Sequence, residues 1–462
     1  MTMIEGWRES DFQAYFENAI AEHGVTGASF AYWDGVTTHM NVMGVRNSVT
    51  GDPVTTDTIM AIGSITKVMT ATLVMQLVDD GLIALEDPVL KHLPDLRLKD
   101  LQALERMTCA MLINHTSGID GMMLPNQGPD QERIVDAIRR FAKLGQLHPP
   151  GEGPSYCNAG VVIAGYLVQQ LRGESWYTVV RRRILEPLAM EHAIAELTDI
   201  PRFRTGVGDL TDPATGKRMQ TSRPFLSLSF APAGATMMMT ATDLLNFGRA
   251  HMNGGTSPDG ARILSANSAE RMRRATASCV EPKEWRFGLG WFLRDDTIAF
   301  HPGGCPGMAS ILLCCAKTGR VAALITNSDT GHALNHAFAD ALVEHWTGLP
   351  QPAHRSDPAP VEGARYVGVY ENVMFRADVV SLAEGIGISL TPKAKVLDNI
   401  SLDQAPPVLL EPTGDHGFRV PATAPPLPVV GRDIRFAFPD KRGHMSAIGT
   451  NALLLVKPSH NA

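Results

Sequence analysis

Apolar positions recur at helical spacing over residues 11–24 and predict an amphipathic helix. The pattern then changes period. Gly27-Ala28-Ser29-Phe30-Ala31-Tyr32-Trp33 predicts a strand, Asp34-Gly35 a hairpin turn, and residues 38–45 the return strand. After Ser64, the run through Val68, Leu73, Val74, Leu77 and Val78 predicts a helix stopped at Gly81. Residues 85–96, with two prolines, read as a short connection. From 100 to about 280, helical patterns alternate with long loops, and Thr240-Ala241-Thr242-Asp243 predicts a capped helix start. Strand patterns then return. Residues 287–293 are expected to pair with 297–301, and 308–315 with 320–326 across a turn at Lys317-Thr318-Gly319. A closing helix is predicted over 333–347.

Strands at both ends of a helical middle imply one sheet completed by distant segments, with a helical subdomain of about 85–280 inserted. The expected fold is therefore of the α/β (α+β) class over residues 1–350: an antiparallel sheet flanked by helices. Residues 351–362, rich in proline, alanine and charge, read as a linker. Beyond it, short strand patterns at turn-sized spacing predict a separate all-β barrel or sandwich over 363–462.

Composition narrows the classes of function. With 44% hydrophobic and 19% charged residues the chain is globular, and a net charge of −7 without a long run of like charge argues against nucleic acid or an anionic membrane as partner. The first nine residues carry no basic segment followed by an apolar run, so no secretory signal is expected. No apolar stretch reaches the roughly 18 residues of a membrane span. Six cysteines occur without a C-x-x-C spacing, which fits reduced thiols in a cytoplasm and gives no zinc cluster. Cys314 and Cys315, adjacent on a predicted strand, are expected on opposite faces.

Three short motifs carry chemistry. Ser64-Ile65-Thr66-Lys67 is the sole Ser-x-x-Lys in the chain and opens a helix, so both side chains share one face. Backbone N–H groups at a helix start favour negative charge, and a lysine set among Met60, Ala61, Ile62, Val68 and Met69 can take the serine proton if burial lowers its pKa. Tyr156-Cys157-Asn158 follows a Gly/Pro/Ser loop, where a tyrosine near Lys67 can act as general base. Tyr370-Glu371-Asn372 has the same spacing but falls in the β domain and reads as accidental. His301-Pro302-Gly303-Gly304 follows an apolar strand. Its glycines let a ligand lie along the strand edge, and a backbone N–H near Gly304 can join that of Ser64 in an oxyanion hole.

With Met111-Leu112-Ile113-Asn114-His115-Thr116-Ser117-Gly118-Ile119, which is similar to a Leu-Leu-x-His-Thr-Ser-Gly stretch, these motifs resemble the serine β-lactamase and penicillin-recognising superfamily. The resemblance spans about residues 11–350 and is strongest to the class C-related branch of esterases, D-aminopeptidases and related peptidases. It implies a cofactor-free serine hydrolase working through an acyl-enzyme on peptide or amide bonds of small or D-residue-containing substrates. A carboxylesterase or acyltransferase with the same machinery, or a non-hydrolytic penicillin-binding protein, are the alternatives. Ser64 becomes the nucleophile, Lys67 its partner, Tyr156 the base or relay, and Asn158 a substrate and lysine hydrogen-bonder. His301 stands where β-lactamases carry the lysine of Lys-Thr-Gly, so carboxylate recognition is expected to be weak. The literal Lys317-Thr318-Gly319 lies at a hairpin turn and is expected to be a decoy. The β domain resembles lipocalin-like barrels, with access control or homo-oligomer formation as its implied role. His115 is expected to hold a turn, and His332 and His336 have metal-compatible spacing but lack an acidic or cysteine partner. No metal is expected.

Overall fold

The computed structural model describes residues 9–122, 133–212, 215–348, 362–393, 406–421, 423 and 432–458. The linker expected at 351–362 falls outside these residues except for Glu362. The main sheet is antiparallel and eight-stranded. Its strands are β1 (Gly27–Trp33), β2 (Thr38–Gly44), β3 (Ala277–Ser278), β4 (Trp285–Phe287), β5 (Phe292–Arg294), β6 (Ile298–Cys305), β7 (Met308–Cys315) and β8 (Val321–Thr326). In space they run β2-β1-β8-β7-β6-β5-β4-β3. The N-terminal hairpin joins the rest through β1 and β8, in register from Ala28 opposite Thr326 to Trp33 opposite Val321.

Five helices matter for the site: α1 (Glu9–Glu22), α2 (Thr66–Asp79), α3 (Asn158–Arg172), α4 (Ala241–Met252) and α5 (Gly331–Thr347). One sheet face packs on α1 and α5, where Phe30 lies 5.4 Å from Phe16 and 4.9 Å edge-on from Phe338. Each such buried ring contributes roughly 1.5–3 kcal/mol through lost water contact. The other face packs on α4 and the helical middle, through Leu244, Leu245, Val68 and Leu73. Every residue of β7 is buried. Cys314 belongs to the larger core and Cys315 to the smaller, so the adjacent pair does face opposite ways. All six cysteines are free thiols.

Two local expectations differ from the structure. The predicted strand over 287–293 is a hairpin of β4 and β5, because the chain turns at Gly288–Trp291 with Gly290 at φ +80. His301-Pro302-Gly303-Gly304 lies within β6 itself. β5 pairs only with residues 298–300 of β6, so beyond His301 that edge has no strand partner among the described residues.

The C-terminal unit is a nearly closed barrel of nine antiparallel strands. They are β9 (Gly368–Glu371), β10 (Phe375–Leu382), β11 (Gly385–Pro392), β12 (Val408–Leu409), β13 (Glu411–Gly414), β14 (Gly417–Arg419), β15 (Asp433–Pro439), β16 (Met445–Thr450) and β17 (Leu453–Val456). The order is β12-β11-β10-β9-β17-β16-β15-β14-β13, so the two end strands are neighbours in sequence. Tyr366, Phe418 and Phe436 fill the interior. Tyr370 is also buried there and donates to Tyr366 O at 2.7 Å, while Asn372 Nδ2 donates to Leu454 O at 3.1 Å. That second Tyr-x-Asn therefore serves the barrel. No helix among the described residues is long and apolar enough to cross a membrane.

Candidate active site

Ser64 sits in a tight 3-10 turn, Gly63–Ile65, that runs directly into α2. Lys67 lies one turn on and is 1% exposed. Its Nζ donates to Ser64 Oγ at 2.8 Å and to Ala233 O at 2.5 Å. Burial strips water from the ammonium and brings the Lys67 pKa down to about 7, against a weak opposing pull from Cys305 and Cys157. A buried lysine of lowered pKa hydrogen-bonded to a serine is an arrangement by which a serine hydroxyl can be activated.

Tyr156 lies just before α3, with its ring centre 4.9 Å from Lys67 Nζ and its hydroxyl a hydrogen-bond neighbour of Ser64. Burial is the main influence on the phenol and holds its pKa above the ordinary range. The helix that follows is capped by Cys157, whose Sγ accepts from Gly160 N at 3.3 Å. His115 packs on the tyrosine at 4.6 Å between ring centres. Its Nδ1 accepts from Cys157 N at 3.1 Å and its carbonyl from Ser155 N at 2.9 Å. Burial also holds His115 neutral, which leaves Nδ1 free to accept.

Asn158 departs from what the resemblance implied. Its Nδ2 donates to Met122 O, its Oδ1 is buried without a partner among the described residues, and the hydrogen bonds of Lys67 go to Ser64 and Ala233 instead. His301 lies 6.2 Å from the Tyr156 ring. Its Nδ1 is 2.6 Å from Pro302 O, which only accepts, so the proton is on Nδ1 and the buried Nε2 is an acceptor without a partner among the described residues. Burial, with Lys67 as a second cause, lowers the His301 pKa to about 3. The residue is thus a neutral acceptor at neutral pH.

The glycines of β6 are required by the protein's own packing, backbone at Gly303 and the His332 ring at Gly304, rather than by room for a ligand side chain. A Cβ at Gly303 would stand 2.0 Å from Ile62 O, and one at Gly304 2.8 Å from His332 Cε1. A Cβ at Gly63 would stand 2.4 Å from Gly304 N, and Gly63 has φ +51. Gly63, which precedes Ser64, thus lies too close to the Gly304 backbone to carry a side chain. Gly303→Ala is expected to lower stability by about 2 kcal/mol or more, since the facing atom is a carbonyl that cannot swing away. A thermal melt within a degree of wild type would contradict this packing.

Lys317-Thr318-Gly319 lies beyond the far end of β7 from Ala309, the partner of Gly304, at roughly 20 Å for six strand residues. His332 packs behind Gly304, and no group of three or more His, Cys, Asp or Glu among the described residues is arranged to hold a metal. Two neighbours of Lys67 and Tyr156 had no signature in residue type, because each is met through its carbonyl: Ala233 O accepts from Lys67 Nζ at 2.5 Å, and Ala452 O from Tyr156 N at 2.9 Å. Gly234, a glycine in an apolar run beside Pro232, was the sole available signal for the first; a Cβ there would stand 2.9 Å from Ser64 N.

A paired serine and lysine, a neighbouring tyrosine and an unpaired strand edge in this fold define a serine hydrolase. The chain belongs to the Beta-lactamase family, whose profile matches residues 12–344. It is 34% identical over 371 residues to penicillin-binding protein 4 of Amycolatopsis lactamdurans, covering 78% of this chain and 97% of that one. Among solved structures it is similar to SurE, with 25% identity and a TM-score of 0.74 over 96% of this chain and 98% of that one, a span that takes in the barrel. It is also similar to the D-amino acid amidase of Ochrobactrum anthropi SV3 complexed with L-phenylalanine amide, at 25% identity and a TM-score of 0.61 over 73% of this chain and 99% of that one.

Proposed function

We propose that this protein hydrolyses amide or peptide bonds of small substrates through a Ser64 acyl-enzyme, favouring those with a D-residue on the acyl side. The observation that carries the reading is the 2.8 Å bond between Lys67 Nζ and Ser64 Oγ, with Lys67 buried and its pKa near 7. Neutral Lys67 takes the Ser64 proton as Oγ attacks the carbonyl carbon. The oxyanion lies against the N–H groups of Ser64 and Gly304. The C–N bond then breaks as the proton held on Lys67 is passed through the Tyr156 hydroxyl to the leaving nitrogen. Water repeats the sequence on the ester, and Ser64 regains its proton. Because burial raises the Tyr156 pKa, the phenol is better suited to relay a proton than to stand as a phenolate base.

Two buried acceptors without partners among the described residues, Asn158 Oδ1 and His301 Nε2, favour a substrate with N–H donors, hence amides over esters. The likeness to a D-amino acid amidase supports the same class and the D preference. A neutral His301 offers no charge for a carboxylate. A dipeptide amide should therefore exceed the same dipeptide with a free C-terminal carboxylate by about tenfold or more in kcat/KM, and β-lactams should turn over poorly. The test is a matched comparison of D- and L-alanyl p-nitroanilides, an acyl p-nitrophenyl ester and a chromogenic cephalosporin. Ester cleavage without anilide cleavage would replace this reading by a carboxylesterase. A stable covalent adduct without turnover would replace it by a penicillin-binding protein that does not hydrolyse.

A further inference from the structure

We propose that the C-terminal barrel is part of the acyl-transfer machinery: the carbonyl of Ala452, at the β16–β17 turn, is a positioning group that sets Tyr156. This rests on the reading of Tyr156 as proton relay.

The three successive N–H groups around the tyrosine are all taken, and from two sides. Ser155 N donates to His115 O at 2.9 Å and Cys157 N to His115 Nδ1 at 3.1 Å. Between them, Tyr156 N donates to Ala452 O at 2.9 Å. The residue that fixes the central N–H thus comes from the barrel, about 300 residues further along the chain. A second bond runs alongside, from Leu454 N to Ser155 Oγ at 3.2 Å. Without the barrel, a buried N–H at the relay residue would lack its partner.

Ala452 is 5% exposed and packs in the smaller core of the catalytic domain, where Tyr156 also packs, rather than in the barrel's own core. The turn has two residues between the paired Thr450 and Leu453, with Asn451 at φ +44 and Ala452 at φ +62. Asparagine suits that conformation; alanine does not. A disfavoured backbone is retained where contacts over-determine it. Here those contacts are Ala452 N to Glu281 O at 2.8 Å and Ala452 O from Tyr156 N. Glu281 is itself clamped to Arg435 of β15 at 3.0 Å, with both side chains largely buried.

The barrel also reaches the other motif residue. Asp120 Oδ1 accepts from Val373 N at 2.9 Å, and Met122, whose carbonyl receives Asn158 Nδ2, packs on the barrel core. Tyr156 and Asn158 are therefore both set by segments seated against the barrel. Its role in this view goes beyond covering the cleft or joining subunits.

The experiment uses the full-length protein and asks for a leaving-group signature. A p-nitroanilide needs a proton delivered to its nitrogen as it leaves, whereas p-nitrophenolate leaves without one. One glycine inserted between Asn451 and Ala452 displaces the carbonyl while keeping both strands. Ser155→Ala, a milder change, removes the bond to Leu454 and carries the test if the insertion does not fold. Tyr156→Phe sets the reference. The expected result is that Tyr156→Phe and the insertion each lower kcat/KM for the anilide by about tenfold or more and for the ester by less than about threefold, with Ser155→Ala showing the same split at smaller size. Equal losses on both substrates, or no loss, in the barrel variants while Tyr156→Phe shows the split would overturn this inference alone. Tyr156→Phe without the split would overturn the relay reading and this inference with it.

Discussion

Ser64→Ala is expected to lower kcat on any amide or ester the enzyme accepts by about 10⁴-fold or more, since it removes the hydroxyl that Lys67 Nζ meets at 2.8 Å. Covalent labelling by a fluorophosphonate, read as a mass shift on the Ser64 peptide, should disappear with it. Stability should change by only about 1 kcal/mol, because Lys67 keeps its bond to Ala233 O. Activity surviving in this variant would remove Ser64 from the mechanism and direct attention to Cys305, whose thiol lies near Lys67 and Gly234. That thiol is a poor candidate as it stands, since burial pushes its pKa up to about 12.

Lys67→Met is expected to cost about 10³-fold or more in kcat and to erase the acid limb of the pH–rate profile. In wild type that limb rises with single-proton slope through about pH 7, as Lys67 loses its proton. The same shift has a sign in stability. An unfolded lysine keeps its proton to about pH 10.4. Between pH 7 and that value the unfolded chain therefore holds one more proton than the native protein, and wild-type stability rises with pH from this residue. Below pH 7 the lysine is charged in both states, and the native protein bears the full cost of a buried cation. Methionine has no such cost. The melting temperature of Lys67→Met relative to wild type should thus be most favourable near pH 6 and fall steadily toward pH 10. A difference independent of pH would mean that Lys67 titrates in the fold as it does in water.

How much of this was legible in the sequence follows from which atoms do the work. The meeting of Ser64 and Lys67 was readable because a helical spacing of three residues brings their side chains together. Tyr156 and His301 were readable as types, although their protonation states were not. Those depend on burial by segments far away in sequence, and burial of the phenol favours the relay over the base among the two roles expected for Tyr156. Asn158 was assigned to Lys67 by resemblance, whereas its amide is engaged by Met122. Hydrogen bonds accepted by carbonyls, at Ala233 from Lys67 and at Ala452 from Tyr156, are invisible to any reading of residue types. In the fold, the long apolar strands β1, β7 and β8 stood out. The short strands β12, β13 and β14 did not, because two to four residues are too few to establish a period. The strand expected over 287–293 failed for a local reason: its alternation hid the two glycines that fold it back.

The pairing of β1 with β8 bears on how the protein comes into being. The two strands are about 290 residues apart, so the N-terminal hairpin leaves the ribosome with one edge bare. At ordinary translation speeds of 5–20 residues per second, that edge waits roughly 15 to 60 s for its partner. The helical middle, built from contacts closer in sequence, has time to form first, and the sheet closes around it. During that interval Gly27–Trp33 is a hydrophobic strand open to any passing β-edge. Yield in a heterologous host should therefore respond to slower induction and to holdase chaperones more than to changes in the final stability of the fold.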